Sequence, residues 1–356
     1  MSHTLVVRLD NAGDVLLTGP AVRAVAASGR VSLLAGPQGA AAARLLPGVE
    51  EVLRWECPWI AAPPAPPVEP GDIDDLVAAV RRLRADRALV FTSFHQSPLP
   101  TALVLRLAGV PWIGAISDDY PGSLLDLRHR GVPDDIHEVQ RALSLATAAG
   151  HALPEGDDGR LHVRLGPDVP ERHRSLPADH SRPVVVLHPG TSVPARAWPP
   201  ARFVQLARLL ADQGYAVVVT GALAERPLTA RVAAGARGAV DLGGRTTLEE
   251  LAGVLASADV VVAGNTGPAH LAAAVGTPIV SLFAPTVPAS RWRPYGVPCV
   301  LLGDQDAICR DTRVTECPYP GHPCLSSVTP EDVARAVDEL RGSGRSRHEV
   351  LVTEEV

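Results

Sequence analysis

Four short polar segments follow apolar runs in this 356-residue chain, and each holds residue types that can move a proton or bind phosphate. The first is Arg8-Leu9-Asp10-Asn11-Ala12-Gly13-Asp14. Gly13 permits a tight turn, and Asp14 then stands where a carboxylate can act as a general base. Asp14 reads equally well as the cap of a helix beginning nearby, although Thr18 before Gly19-Pro20 suits that helix as a cap by itself. The second segment is His188-Pro189-Gly190-Thr191-Ser192, where Gly190 and two hydroxyls leave N–H and O–H donors for phosphate oxygens. Arg196 supplies a cation to complete a diphosphate clamp; the plainer reading is a βα turn with a surface arginine.

The third segment, Gly264-Asn265-Thr266-Gly267-Pro268-Ala269-His270, places Asn265, Thr266 and Gly267 at a helix start. Free N–H groups and the positive end of the helix dipole favour an anion there. His270, one turn further on, has the alternative of a hydrogen bond to a neighbouring loop. The fourth is Gly221-Ala222-Leu223-Ala224-Glu225, in which Glu225 can accept from ribose hydroxyls or serve as an ordinary first-turn carboxylate.

The elements that must position these segments alternate in type. Strand patterns over residues 4–9, 31–35, 51–55, 88–92 and 112–116 are separated or followed by helical patterns near 21–27, 72–84, 99–107 and 136–149. Later strand patterns cover residues 184–188, 216–220, 239–242, 260–263, 279–283 and 299–302, with helices near 201–213, 224–234, 248–257 and 268–275. Their nearly all-apolar composition suits parallel strands covered on both faces. The expected fold is α/β, with two Rossmann-like doubly wound domains facing a cleft and a last helix after the second. The domains are set at 1–180, including a linker ending near 181–183, and 181–328; the last helix covers 329–342, with Thr329 as N-cap and Pro330 in the first turn. Residues 343–356 read as a flexible tail, and the Pro-rich 61–70 as a rigid surface connection.

Composition excludes several function classes. Net charge is −6, with no basic face of the kind nucleic acid requires. All 33 cationic residues are arginine, which removes Schiff-base chemistry and a Walker-type phosphate lysine. No GxGxxG follows either domain's first strand, and GxSxG and HExxH are absent. The N-terminal apolar run is too short for a signal peptide, and no stretch is long enough to span a bilayer. A cytoplasmic protein with reduced cysteines is expected. Cys309, Cys317 and Cys324 lack paired zinc spacing; a metal with His322 as fourth ligand is the lesser reading beside ordinary thiols.

At this point the residues resemble a known family. RLDNAGDVLLTGPAVRAV is similar to the N-terminal signature of the ADP-heptose:lipopolysaccharide heptosyltransferases, glycosyltransferase family nine. HPGTSVPARAWPPARFVQLARLL, DLGGRTTLEELAGVLASADVVVAGNTGPAHLAAAVGTPIVSLFAPT and RWRPYG resemble its C-terminal signature. The likeness runs from Thr4 to about Leu340 and is loose over roughly 61–183.

The resemblance implies a GT-B fold with acceptor in the N-terminal lobe and donor in the C-terminal one. It implies an inverting, metal-independent transfer of heptose or a related sugar from a nucleotide-diphosphate-sugar, usually ADP-heptose. It maps the catalytic aspartate onto Asp14, diphosphate-contacting hydroxyls onto Thr191 and Ser192, and the phosphate-binding cation onto Arg196, where lysine is common. The nucleoside-contacting glutamate maps onto Glu225, and the DTGxxH loop onto Asn265, Thr266, Gly267 and His270. Asn265 replaces an aspartate expected to touch the sugar, which bears on the sugar's identity more than on the reaction. Gly13, His188 and Gly190 shape the loops. Ser93, His95, Asp118 and His137, with Asp119 and Arg141, are candidates for the acceptor side and equally for plain polar positions. The acceptor expected is a glycan, a lipid-linked glycan or a small molecule, reached in the cytoplasm or at the inner face of the membrane. No cofactor, metal or nucleic acid is expected. Two other readings remain: a nucleotide-sugar 2-epimerase on the same fold, and a non-catalytic nucleotide-binding or assembly subunit.

Overall fold

The computed structural model describes residues 2–61, 64–166 and 182–352. The chain divides into two compact units, Met1–Arg164 and Leu165–Val356. Part of the expected Pro-rich connection (62–63), most of the linker (167–181) and the end of the tail (353–356) lie outside the described residues.

In the first unit, β1 (Ser2–Arg8), β2 (Gly29–Ala35), β3 (Val49–Arg54), β4 (Arg87–Val90), β5 (Trp112–Ile116) and β6 (Leu127–His129) form one sheet. The order is β3-β2-β1-β4-β5-β6, and every pairing is parallel. Helices α1 (Ala12–Leu17), α2 (Gly19–Ala26), α3 (Ala40–Leu45), α4 (Pro70–Leu83), α5 (Leu99–Leu107) and α6 (Glu138–Ala148) join the strands. Val6 lies opposite Leu33 of β2 and Leu89 of β4, so β1 is apolar across the ladder on both sides. Strand order reverses at β1 and β4, and the loops leaving these two strands diverge there. That divergence opens a crevice at the C-terminal edge of a doubly wound sheet.

The second unit repeats the plan with β7 (Val184–His188), β8 (Ala216–Val219), β9 (Val240–Asp241), β10 (Val260–Gly264), β11 (Ile279–Leu282) and β12 (Cys299–Leu302). The order is β12-β11-β10-β7-β8-β9, again all parallel, so the switch point lies between β7 and β10. Its helices are α7 (Pro200–Asp212), α8 (Arg226–Ala233), α9 (Leu248–Ala256), α10 (Gly267–Ala274), α11 (Ala289–Trp292), α12 (Pro323–Ser326) and α13 (Pro330–Val352). Short 3₁₀ turns stand at Pro194–Arg196 and Leu223–Glu225.

One face of this sheet is sealed by α7 and α13: Phe203, Leu206 and Leu210 join Val333 and Val337 over Val185, Val217 and Val280. Each such side chain contributes about 1.5–3 kcal/mol on leaving water. Trp198 is fully buried, meets Phe203 edge to face at 4.8 Å, and donates from Nε1 to Val328 O at 3.2 Å. As the sequence suggests, Thr329 caps α13: its Oγ1 accepts from Asp332 N at 3.1 Å, and Asp332 accepts in return from Thr329 N. The helix continues to Val352, past residue 342. Three elements of the first unit have no counterpart in the sequence reading: α1, α3 and β6. They are six, six and three residues long, too short to show a period. Among the described residues no helix is long and apolar enough to cross a membrane.

Candidate active site and donor site

The first unit's switch point is built around a buried arginine. Arg8 ends β1, and its three guanidinium nitrogens face three carboxylates. Nε lies 2.8 Å from Asp10 Oδ2, Nη2 lies 3.0 Å from Asp14 Oδ1, and Nη1 lies 3.7 Å from Glu138 Oε2. Nη2 also donates to Ser93 Oγ in the loop after β4. Gln96 of that loop donates from Nε2 to Asp10 Oδ1 at 2.6 Å. The two diverging loops are thus cross-tied by charge-assisted bonds.

Asp14 occupies the first turn of α1, and its carboxylate turns to Arg8 instead of closing a helix end. The cap position is Asn11, which makes no side-chain capping bond. The alternative that Asp14 is a cap therefore fails. Thr18 does stand before α2, but its hydroxyl donates back to Asp14 O, so α1 runs almost directly into α2. Gly13 lies inside α1, buried and without a positive φ, and makes no tight turn. Burial, then the negative charges of Asp10 and Glu138, raise the Asp14 carboxyl to about 7 against the pull of Arg8.

In the second unit the expected donor residues fall on three neighbouring loops, after β7, β8 and β10. Thr191 Oγ1 accepts from Val193 N at 3.2 Å, which tightens the loop after β7. Ser192 is exposed at its tip. Glu225 lies over Gly190: a Cβ built on Gly190 would stand 2.0 Å from Glu225 Oε1. Only glycine lets the two loops approach this closely. Glu225 also accepts from Ala222 N at 2.7 Å, the local role that the sequence allows. His188 is buried, bonds Thr220 Oγ1 at 2.9 Å through Nδ1, and turns Nε2 toward Glu225 at 4.0 Å. Burial lowers its pKa to about 4, so it is neutral near pH 7.

Arg196 ends a 3₁₀ turn whose backbone passes beside Gly264, at the foot of the Asn265–Gly267 turn. Asn265 is 8% exposed, and its Nδ2 is buried without a hydrogen-bond partner. Thr266 occupies the N-cap position of α10 and makes no side-chain cap bond. Pro268 carries no N–H and Ala269 N donates to Thr266 O at 3.1 Å, which leaves the Gly267 N–H at the head of that helix. His270 is buried inside α10.

A family model described as glycosyltransferase family 9 (heptosyltransferase) matches residues 74–322. The chain belongs to that family. It is 36% identical over 187 residues to lipopolysaccharide heptosyltransferase 1 of Pseudomonas aeruginosa, a stretch covering 51% of this chain and 49% of the relative. The chain spans about half the length of the first curated relatives it matches. The structure of Escherichia coli ADP-heptose LPS heptosyltransferase II superposes with a TM-score of 0.75 at 21% identity, covering 97% of this chain and 100% of that one. A family 9 glycosyltransferase from Veillonella parvula gives 0.78 at 17% identity, covering 96% and 97%. These likenesses carry the GT-B fold expected from the sequence.

The remaining residues of this family 9 chain separate into two groups. Ser93 and His137 make bonds within the first unit: Ser93 accepts from Arg8, and His137 caps α6 by accepting from Val139 N at 3.2 Å. His95 and Asp118, with Asp119 and Arg141, line a cavity of about 220 Å³ at the ends of β4 and β5. His322 donates from Nε2 to Ala195 O at 2.9 Å and is not turned to the thiols. Among the described residues no group of three or more His, Cys, Asp or Glu side chains is arranged to hold a metal ion. Cys324 is pushed up to about 12 by burial and the neighbouring Cys309.

Sequence reasoning passed over Arg8, Asp10, Glu138 and Gln96 as members of the site. Arg8 carried a signal, a lone charge inside the strand pattern Thr4-Leu5-Val6-Val7-Arg8-Leu9. Glu138 and Gln96 carried none, because only the folded sheet brings them to β1.

Proposed function

We propose that this protein is an inverting, metal-independent glycosyltransferase that moves heptose or a related sugar from a nucleotide-diphosphate-sugar, ADP-heptose in the first instance, to an acceptor hydroxyl. The observation that carries the reading is the Asp14 carboxylate. It is held in place by Arg8 yet raised to about 7, so that it accepts a proton near neutral pH. A carboxylate serving only as an ion-pair partner would be driven the other way.

Asp14 takes the proton of the acceptor hydroxyl as that oxygen attacks the anomeric carbon. The bond from that carbon to the diphosphate breaks, and the configuration inverts. The second unit stabilises the leaving diphosphate with Thr191, Ser192, Arg196 and the N–H groups of the Thr266–Gly267 turn. Glu225 addresses the nucleoside, and Asn265 the sugar. Fixed donors do the work that a cation would otherwise do. The acceptor enters from the side of the cavity lined by His95, Asp118, Asp119 and Arg141. These side chains suit sugar hydroxyls on a glycan, a lipid-linked glycan or a small molecule.

The test is turnover of ADP-heptose against an acceptor panel, read as ADP release and product anomer. Retention of configuration, or isomerisation of the donor without any acceptor, would overturn the reading.

A further inference from the structure

Arg8, Asp10, Asp14 and Glu138 form a closed cluster with side chains at most 15% exposed. One guanidinium faces three carboxylates. Fully ionised, the cluster would bury a net charge of −2, which the low-dielectric interior strongly opposes. A cluster of this stoichiometry holds a proton near neutral pH, and its place decides whether Asp14 is a base or an inert ion-pair partner.

The supports of the three carboxylates differ. Asp10 is 2.8 Å from Arg8 Nε and accepts from Gln96 at 2.6 Å, so it has two close partners. Asp14 has the single bond from Nη2. Glu138 has the longest contact, 3.7 Å, and its Oε1 is buried with no hydrogen-bond partner. A glutamate so poorly served gains little from its own ion pair. Its charge instead acts on the neighbours, through Arg8. It is placed at the first residue of α6.

We propose that Glu138 is a positioning residue that keeps Asp14 basic: by claiming Nη1 of Arg8 and adding negative charge behind the guanidinium, it prevents Arg8 from locking Asp14 as a permanent anion. The inference rests on the reading of Asp14 as the base. The charged groups acting on Asp14 are Arg8 and Asp10 from the end of β1 and Glu138 from α6. At that end of α6 His137 also accepts from Val139 N, and Arg141 donates to Thr92 O. Asp14 gains the acceptor's proton, the cluster becomes less negative by one, and the proton leaves to solvent as Asp14 returns to its charged form.

The experiment titrates Asp14 directly in the full chain by carboxyl carbon NMR on protein labelled at aspartate, the signal being assigned by its loss in Asp14→Asn. In Glu138→Gln the midpoint of Asp14 should fall by roughly half a pH unit or more. Glu138→Asp keeps the charge and should restore most of the shift, although it changes the packing more than Gln does. If the amide of Glu138→Gln disturbs folding, Glu138→Met fills similar volume without charge and carries the same expectation. An unmoved midpoint in a folded neutral variant overturns the proposal, as does an equal shift in Glu138→Asp. The acid limb of kcat/KM is read in parallel and answers a separate question. A limb that follows the NMR midpoint upholds Asp14 as base. A midpoint that moves while the limb stays fixed upholds the coupling and overturns the base.

Discussion

Arg8 Nη2 donates to both Asp14 Oδ1 and Ser93 Oγ at 3.0 Å. One nitrogen therefore fixes the Asp14 carboxylate to the end of β1 and to the loop after β4. The six-residue α1 could not hold that side chain rigidly by itself. The carboxylate is placed by the sheet, and its protonation is set by the company it keeps there.

The activity should accordingly depend on pH with a defined sign. A base must be unprotonated to act, so kcat/KM should rise with pH through about 7 and level off above it. Asp14→Asn should lower kcat by roughly 10²–10⁴-fold, the usual contribution of a general base. Calorimetry should find nucleoside diphosphate affinity unchanged in the same variant, because no donor contact is assigned to Asp14. Normal turnover by Asp14→Asn would remove it from the mechanism.

The same residue should oppose folding at higher pH. A carboxyl raised from 3.8 to about 7 favours the folded state at low pH, and that contribution is lost as pH rises between those values. Asp14→Asn keeps an acceptor for Arg8 and removes the charge. Its thermal midpoint should match that of the parent near pH 4. Above pH 7 it should lie higher by an amount on the order of a few degrees. Midpoints that run parallel across this range would show that Asp14 is not raised.

Much of this was legible in the residues, and the part that was not has a physical reason. β5, α5, β7 and β12 fall on their expected bounds because each is an apolar run closed by clear punctuation. The loops bearing Thr191, Arg196 and Asn265 were found because glycine and hydroxyl patterns after a strand are local signals. Glu138 was not found, since its partner Arg8 is remote in sequence and joins it only through the sheet. The capping bond of His137 to Val139 N was hidden for a related reason, since it appears only once α6 is set.

Gly190 offers a test of the donor loops that needs no catalysis. Alanine there places Cβ 2.0 Å from Glu225 Oε1, so Glu225 or the loop must move. Gly190→Ala should weaken nucleoside diphosphate binding by roughly tenfold, about 1.4 kcal/mol. In Glu225→Ala the obstruction is absent, and adding Gly190→Ala should then cost much less. Such coupling is the expected signature of two residues in direct contact. Additive losses in the double variant would show that Gly190 acts on its own loop and not through Glu225.

Arg196 should be sensitive to a residue far along the chain. Its predecessor Ala195 is buried, and both of its backbone groups are held by the segment after β12. Ala195 N donates to Thr315 O at 2.9 Å, and Ala195 O accepts from His322 Nε2 at 2.9 Å. His322 adopts a left-handed backbone, φ 51°, a conformation that costs about 1 kcal/mol or more in a non-glycine residue. Its imidazole then closes the brace. Removing that bond leaves the Ala195 carbonyl unsatisfied and frees the turn that aims Arg196. His322→Ala should raise the Kd for nucleoside diphosphate several-fold, and Arg196→Ala by more. His322→Gln, whose amide can still donate, should recover part of the loss. In an Arg196→Ala background His322→Ala should have almost no further effect on binding, because the brace then has no cation left to aim. A full additional loss there would mean that the segment after β12 acts on the donor site by a route other than Arg196.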